Sequence, residues 1–345
     1  MARGALGAPL GWGAGGLVVL AVAVLFGISS GAASLSAADI VLHLLSLLPL
    51  DVESPLTERQ AALLVALRLP RVVMGAVVGA LLATAGAAYQ GVFRNPLADP
   101  YLLGAAAGAG LGATAVIVFG GQISDEPRTL VPVAAFAGAL VGVAAAYLLG
   151  TTAGGGGTAA LVLAGVAVSS FLSAVQTFVQ QMGTDQLQRI YAWLLGGLGR
   201  GGWDDVRLIA PYALVGMLVL LVCGHLLDML ALGDDKAVSL GLDPAVVRVV
   251  VISAASLATA AAVSVSGLIG FVGIVVPHIV RRLVGSSYRA ILPVTMIAGA
   301  AFLVTVDIVA RTVVSPAELP IGVVTAFLGA PFFVLILRTT RHRSV

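Results

Sequence analysis

The chain has little with which to face water. Charged residues make up 10% of its 345 positions, Lys236 is its only lysine, and 59% of residues are hydrophobic, with a mean hydropathy of +1.09. A soluble domain with a polar shell is excluded by those values. The single cysteine, Cys223, lies in an apolar run, so no disulfide framework exists. His43, His225, His278 and His342 are scattered with no pair at metal-ligand spacing, which gives no basis for a metal centre. No glycine-rich phosphate loop precedes Lys236, so any nucleotide hydrolysis belongs to another chain. Ser266 and His278 would lie ~18 Å apart along one helix, which removes an intramembrane serine hydrolase. Acidic residues inside apolar runs are nearly missing, with Asp228 and Asp307 only near run ends. That argues against the rival reading, a stand-alone secondary transporter with a carboxylate relay. A net charge of +2 offers nothing for nucleic acid.

Long apolar runs are what the sequence has. A spanning helix needs ~20 mostly apolar residues, and ten candidates fall near 14–33, 70–92, 100–120, 130–150, 158–182, 206–227, 246–266, 268–284, 289–310 and 320–338. The stretch 246–284 as one helix would be ~58 Å long, so a hairpin is expected near Ser266 and Gly267. The first run also fits a secretory leader, with Arg3 before it and "SGAAS" after it; the many later spans favour a retained helix. Residues 190–198, "YAWLLGGLG", are too short to cross and read as a re-entrant or interfacial segment (about 186–204), with Tyr191, Trp193 and Trp203 at headgroup depth. The expected fold is therefore an all-α polytopic membrane protein, one domain over 1–345 with ten transmembrane helices.

The basic "HIVRR" and "RTTRHR" segments call for a cytoplasmic location of both termini. Arg68, Arg71 and Arg311 then fall at helix mouths on the outer face. Gly75 and Gly79, Gly104, Gly108 and Gly112, and Gly138 and Gly142 recur at four-residue spacing, as close helix packing requires. In "RNPLADP", Asn95 and Asp99 suit N-caps, and a helix is expected to start at Pro100. In the fifth span, Ser169, Ser173, Gln176, Thr177 and Gln180 share one helical face. Interhelical hydrogen bonding is one reading of it; a face lining a water-accessible path for a bulky polar solute is the other. The inner segment about 228–246 reads as two short helices, with Gly233 ending one, Asp234 or Asp235 capping the next, and Gly241 then "DP" restarting the chain. It is either a plain connector or a docking element.

Several stretches together resemble one family, the permease subunits of type II ABC importers for iron-siderophores, haem and cobalamin. They are "LRLPR" (67–71), "FRNPLADPYLLG" (93–104), "LVLAGVA" (161–167), "LALGDDKAVSLGL" (230–242), "GLIGFVGIVVPHIVR" (267–281), "DIVAR" (307–311) and "ELPIGVVTAFLGAPFFVLIL" (318–337). The resemblance implies a non-catalytic bacterial cytoplasmic-membrane subunit without a cofactor of its own. Its partners would be a second permease subunit, two cytosolic ATPases that bind ATP and Mg, and an extracytoplasmic binding protein. It implies that Arg68, Arg71 and Arg311 meet acidic residues of that binding protein, and that Asp234, Asp235, Lys236, Ser239, Leu240 and Gly241 belong to the ATPase-coupling loop. It also implies that the polar stripe faces the pathway. The cytoplasmic gate, Thr-Ser in a cobalamin-importing member, corresponds to Thr158 and Ala159; the lost serine and the preceding "GGGG" put its detail in doubt. Iron-siderophore is the expected cargo, with haem and cobalamin open.

Overall fold

The computed structural model describes residues 3–30, 36–47, 49, 52–122, 127–153, 157–199 and 201–341. Fifteen α-helices follow in order: α1 Arg3–Ser29, α2 Ala37–Ser46, α3 Glu58–Leu63, α4 Leu69–Phe93, α5 Ala105–Phe119, α6 Pro127–Ala153, α7 Thr158–Met182, α8 Leu187–Leu194, α9 Gly202–Val222, α10 Gly224–Ala231, α11 Asp234–Ser239, α12 Pro244–Ser266, α13 Val272–Val284, α14 Tyr288–Thr312 and α15 Ile321–Arg341. No strand occurs among the described residues. Most of "GGGG" and the end of the basic tail lie outside them.

Eight helices among the described residues are long and apolar enough to cross a membrane, against ten expected runs. The other two runs fold as α13 and α15. With 13 residues, α13 rises ~20 Å, short of the ~30 Å hydrocarbon core. Its start therefore lies within the protein, at the hairpin that the sequence placed near Ser266 and Gly267. The run 100–120 is also shorter as a helix than expected. Asp99 does accept from the Tyr101 amide, but α5 begins only at Ala105, after Gly104 at φ +85°. The helix start expected at Pro100 is thus displaced, and 94–104 is an irregular segment.

At the centre, α4 is buried along nearly its whole length from Val78 to Phe93, between α12, α13, α14 and α9. Close approach explains the glycine spacing. A Cβ at Gly79 would lie 2.2 Å from the Gly299 carbonyl oxygen, and one at Gly108 would lie 2.0 Å from that of Gly138. Dispersion and interhelical contact hold such pairs where water supplies no drive.

Two irregular segments, 94–104 and 267–271, meet beside α4. Unpaired backbone at this depth costs several kcal/mol per group, so partners are supplied by side chains. The Tyr101 hydroxyl donates to the Ile269 carbonyl and accepts from the Ile269 amide, both at 3.1 Å. Gln90, almost wholly buried, donates to the Gly273 carbonyl at 3.2 Å and accepts from Arg281 at 3.0 Å. Gly197 donates to the Ser266 carbonyl at 2.8 Å, which ties the turn after α8 to the same hairpin.

Candidate functional site

The mouth that carries the three arginines is built on a helix that does not begin at Pro70. It starts at Glu58, capped by a reciprocal Thr57–Gln60 box, and passes through one π-helical turn, Leu64–Arg68, into α4. Proline has no N–H to give. In the π register Leu69 donates to Leu64, so Pro70 leaves the Val65 carbonyl without a helical donor. The Trp203 indole N–H fills that place at 2.7 Å. Trp203 thus fixes the register of the turn that carries Arg68. Trp193 of α8 is buried in the core.

Arg68, Arg71 and Arg311, drawn from both ends of the chain, converge at this mouth, and each is turned inward. A helix C-terminus leaves carbonyls unpaired and carries partial negative charge. The end of α1 is closed by two of the arginines: Arg68 donates to Ile28 and Ser29 at 2.9 and 3.2 Å, and Arg311 to Gly27 and Ser30 at 3.0 and 3.1 Å. Arg71 forms paired hydrogen bonds with two carboxylates. It reaches Asp307 through Nε and Nη2 at 3.0 and 2.9 Å, and Glu318 through Nη1 and Nη2 at 3.0 and 2.9 Å. Arg311 Nε lies 3.0 Å from the other oxygen of Asp307. Exposure grades the group sharply: Asp307 is 2% exposed and Glu318 52%. Asp307 is thus a buried carboxylate shared by two guanidinium groups, and Glu318 is the outer partner of Arg71. The spacing of four between Asp307 and Arg311 was the available sequence signal for their pairing. Nothing local marked Glu318. Ser30, Leu67, Arg68, Arg71, Arg311 and Glu318 line a basin of about 620 Å³ over this cluster.

The polar face of α7 is divided by the structure. Gln176 is buried and packs on α5: a Cβ at Gly110 would lie 2.7 Å from its Oε1. That residue is packed between helices, because the glycine clears room for an amide. Ser173 and Thr177 are exposed, and Ser169 and Gln180 half-buried. At the start of α7, Thr158 is half-buried and Ala159 exposed. The start of α15 is tied to α8, where Gly322 donates to the Leu195 carbonyl at 3.0 Å; a groove of about 600 Å³ runs over Leu194, Leu195, Leu268, Phe327 and Pro331.

At the opposite end of the bundle, α10 and α11 form the two short helices read from the sequence. Gly233 takes φ +107° and Gly241 φ +82°, backbone that L side chains adopt only with strain. Asp234 does not cap α11. Its carboxylate pairs with Arg94, from the end of α4, and with Arg248 of α12 at 2.8 Å. Hydrogen bonding to Arg248, with Arg94 beside it, holds the Asp234 carboxyl below the usual carboxylate range. Asp243 caps α12 instead, accepting from the amides of Ala245 and Val246. Asp235, Lys236, Ser239, Leu240 and Gly241 are exposed. With Leu232 and Val238, also exposed, Leu240 gives the loop an apolar outer surface.

Comparison with known proteins gives one consistent answer. The FecCD transport family matches residues 19–339. The chain is 42% identical over 279 residues to the ABC transporter permease protein YvrB of Bacillus subtilis, covering 81% of this chain and 79% of that one. It is also 42% identical to the cobalamin import system permease protein BtuC of Halobacterium salinarum, covering 81% and 74%. Its identity to the hemin transport system permease protein HmuU of Yersinia pestis is 38%, covering 81% and 84%. Among solved structures, a metal-chelate type ABC transporter in an inward-facing conformation superposes with a TM-score of 0.82 at 30% identity, over 95% of this chain and 98% of that one. With eight membrane-length helices and a match that runs from near the first residue to near the last, this multi-pass membrane protein belongs to the FecCD transport family.

Proposed function

We propose that the protein is the permease subunit of an ATP-driven importer that carries an iron-siderophore complex inward. The observation that carries this reading is the likeness over 95% of the chain to a metal-chelate type ABC transporter. In this reading ten helices cross the bacterial cytoplasmic membrane with both termini inside. A second permease subunit completes the pathway, cytosolic ATPases bind ATP and Mg, and an acidic extracytoplasmic binding protein docks over Arg68, Arg71 and Arg311. Cobalamin is a second reading of the cargo, favoured by the 42% identity to a cobalamin import permease. Uptake into liposomes containing the permease and its ATPase is expected to require both ATP and the binding protein. Uptake driven by a proton gradient without the ATPase would overturn the assignment.

Two of the inner elements carry predictions. A Cβ at Gly241 would meet nothing within 4 Å, so bulk there projects outward, towards the proposed ATPase. Gly241→Trp is expected to leave membrane insertion intact and abolish uptake while ATP hydrolysis continues. Gly241→Ala, which has the backbone strain without the bulk, should transport. Normal uptake by the tryptophan variant would remove the loop from coupling. On α7, Ser173→Cys and Thr177→Cys are expected to react with a small aqueous thiol reagent in the assembled importer, and Gln176→Cys to be protected. Protection of all three would assign the face to packing.

A further inference from the structure

The arginines proposed to receive an acidic partner already hold carboxylates of their own. Asp307 is deeply buried between Arg71 and Arg311 and belongs to the fold. Glu318 is different. It is 52% exposed, it lies on the segment between α14 and α15, and it grips Arg71 with both oxygens, at 3.0 and 2.9 Å. The Arg71 side chain is only 17% exposed. A carboxylate arriving from outside would find the paired donor edge of Arg71 facing Glu318 taken. That edge offers a planar, two-point fit for one carboxylate at a time.

We propose that Glu318 is a built-in stand-in for the partner's carboxylate, occupying Arg71 in the free permease and displaced when the acidic binding protein docks. The inference rests on the docking reading above. Glu318 lowers the positive charge at Arg71 that draws the partner in and makes docking an exchange of one ion pair for another. Such an exchange is close to balanced, because one carboxylate replaces another on the same two-point donor edge. It also shields Arg71 from small anions while leaving it open to a surface that brings a carboxylate together with other contacts.

The test is association of the full permease, in nanodiscs, with its purified cognate binding protein at low and high salt. Glu318→Gln is expected to bind about two- to fivefold tighter at low salt, with the gain shrinking as salt rises. Glu318→Asp, which keeps the charge on a shorter arm, should fall between it and the native chain. Arg68→Gln, which removes a neighbouring charge but keeps a hydrogen-bond donor for α1, should bind more weakly. If Arg68→Gln weakens association and Glu318→Gln leaves it unchanged or weaker, Glu318 is a structural clamp and the exchange fails while docking stands. If neither variant changes association at low salt, the docking reading itself fails and the exchange with it.

Discussion

Asp307→Asn is expected to destabilise the folded permease by about 3–5 kcal/mol, the cost of leaving buried charge without its partner. The amide keeps the shape but removes the charge that Arg71 and Arg311 share, and Arg311 cannot swing away because it also closes the end of α1 through Gly27 and Ser30. Thermal unfolding in detergent checks this, read beside Glu318→Gln. That variant touches the same arginine from an exposed position and should change stability by no more than ~1 kcal/mol. Equal, small shifts for both would mean that burial does not grade the two carboxylates as their 2% and 52% exposures imply.

Gly86→Ala is expected to be nearly as damaging, although it adds one carbon. The new Cβ would lie 2.1 Å from the Gly273 carbonyl oxygen and 2.5 Å from its Cα, backbone atoms with no rotamer to yield. Separating α4 from α13 would stretch the Gln90–Gly273 bond one turn away and shift the contact of Gly273 with Pro100. Overpacking of this kind costs typically ~1–3 kcal/mol and more where only backbone can move. The yield of monodisperse protein and its unfolding temperature measure it. Gly13→Ala, where nothing lies within 4 Å, is the matched control and should be silent. A native unfolding temperature for Gly86→Ala would show that the helices separate freely there.

Much of this was legible in the chain. Run length and hydropathy located the crossing helices, because ~30 Å of hydrocarbon demands a fixed number of apolar residues whatever their neighbours. Glycines four apart announced close helix contact, and Gly233 and Gly241 marked the turns of the loop between α10 and α12, since both are local backbone requirements. The α7 stripe was legible as a face, but not what covers each residue: periodicity placed Gln176 with Ser173, and only the presence of Gly110 on α5 separated them. The start of α5 was misplaced because Asp99 and Pro100 meet the local rule for a helix start while the chain there is still held by Tyr101 against Ile269.

The two arginines of "RLPR" show the division most plainly. Their permanent charge and their position at the edge of an apolar run followed from the sequence alone, since guanidinium stays protonated and cannot lie unpaired in lipid. Their partners did not, because the carbonyls of Ile28 and Ser29 and the carboxylates of Asp307 and Glu318 are distant in sequence and reach them only when α1, α4 and α14 pack together. Composition determined that the chain lies in a membrane and which residues must be satisfied there. The tertiary structure decided what satisfies them, because burial and charge pairing depend on which helices are neighbours, and no local pattern records that.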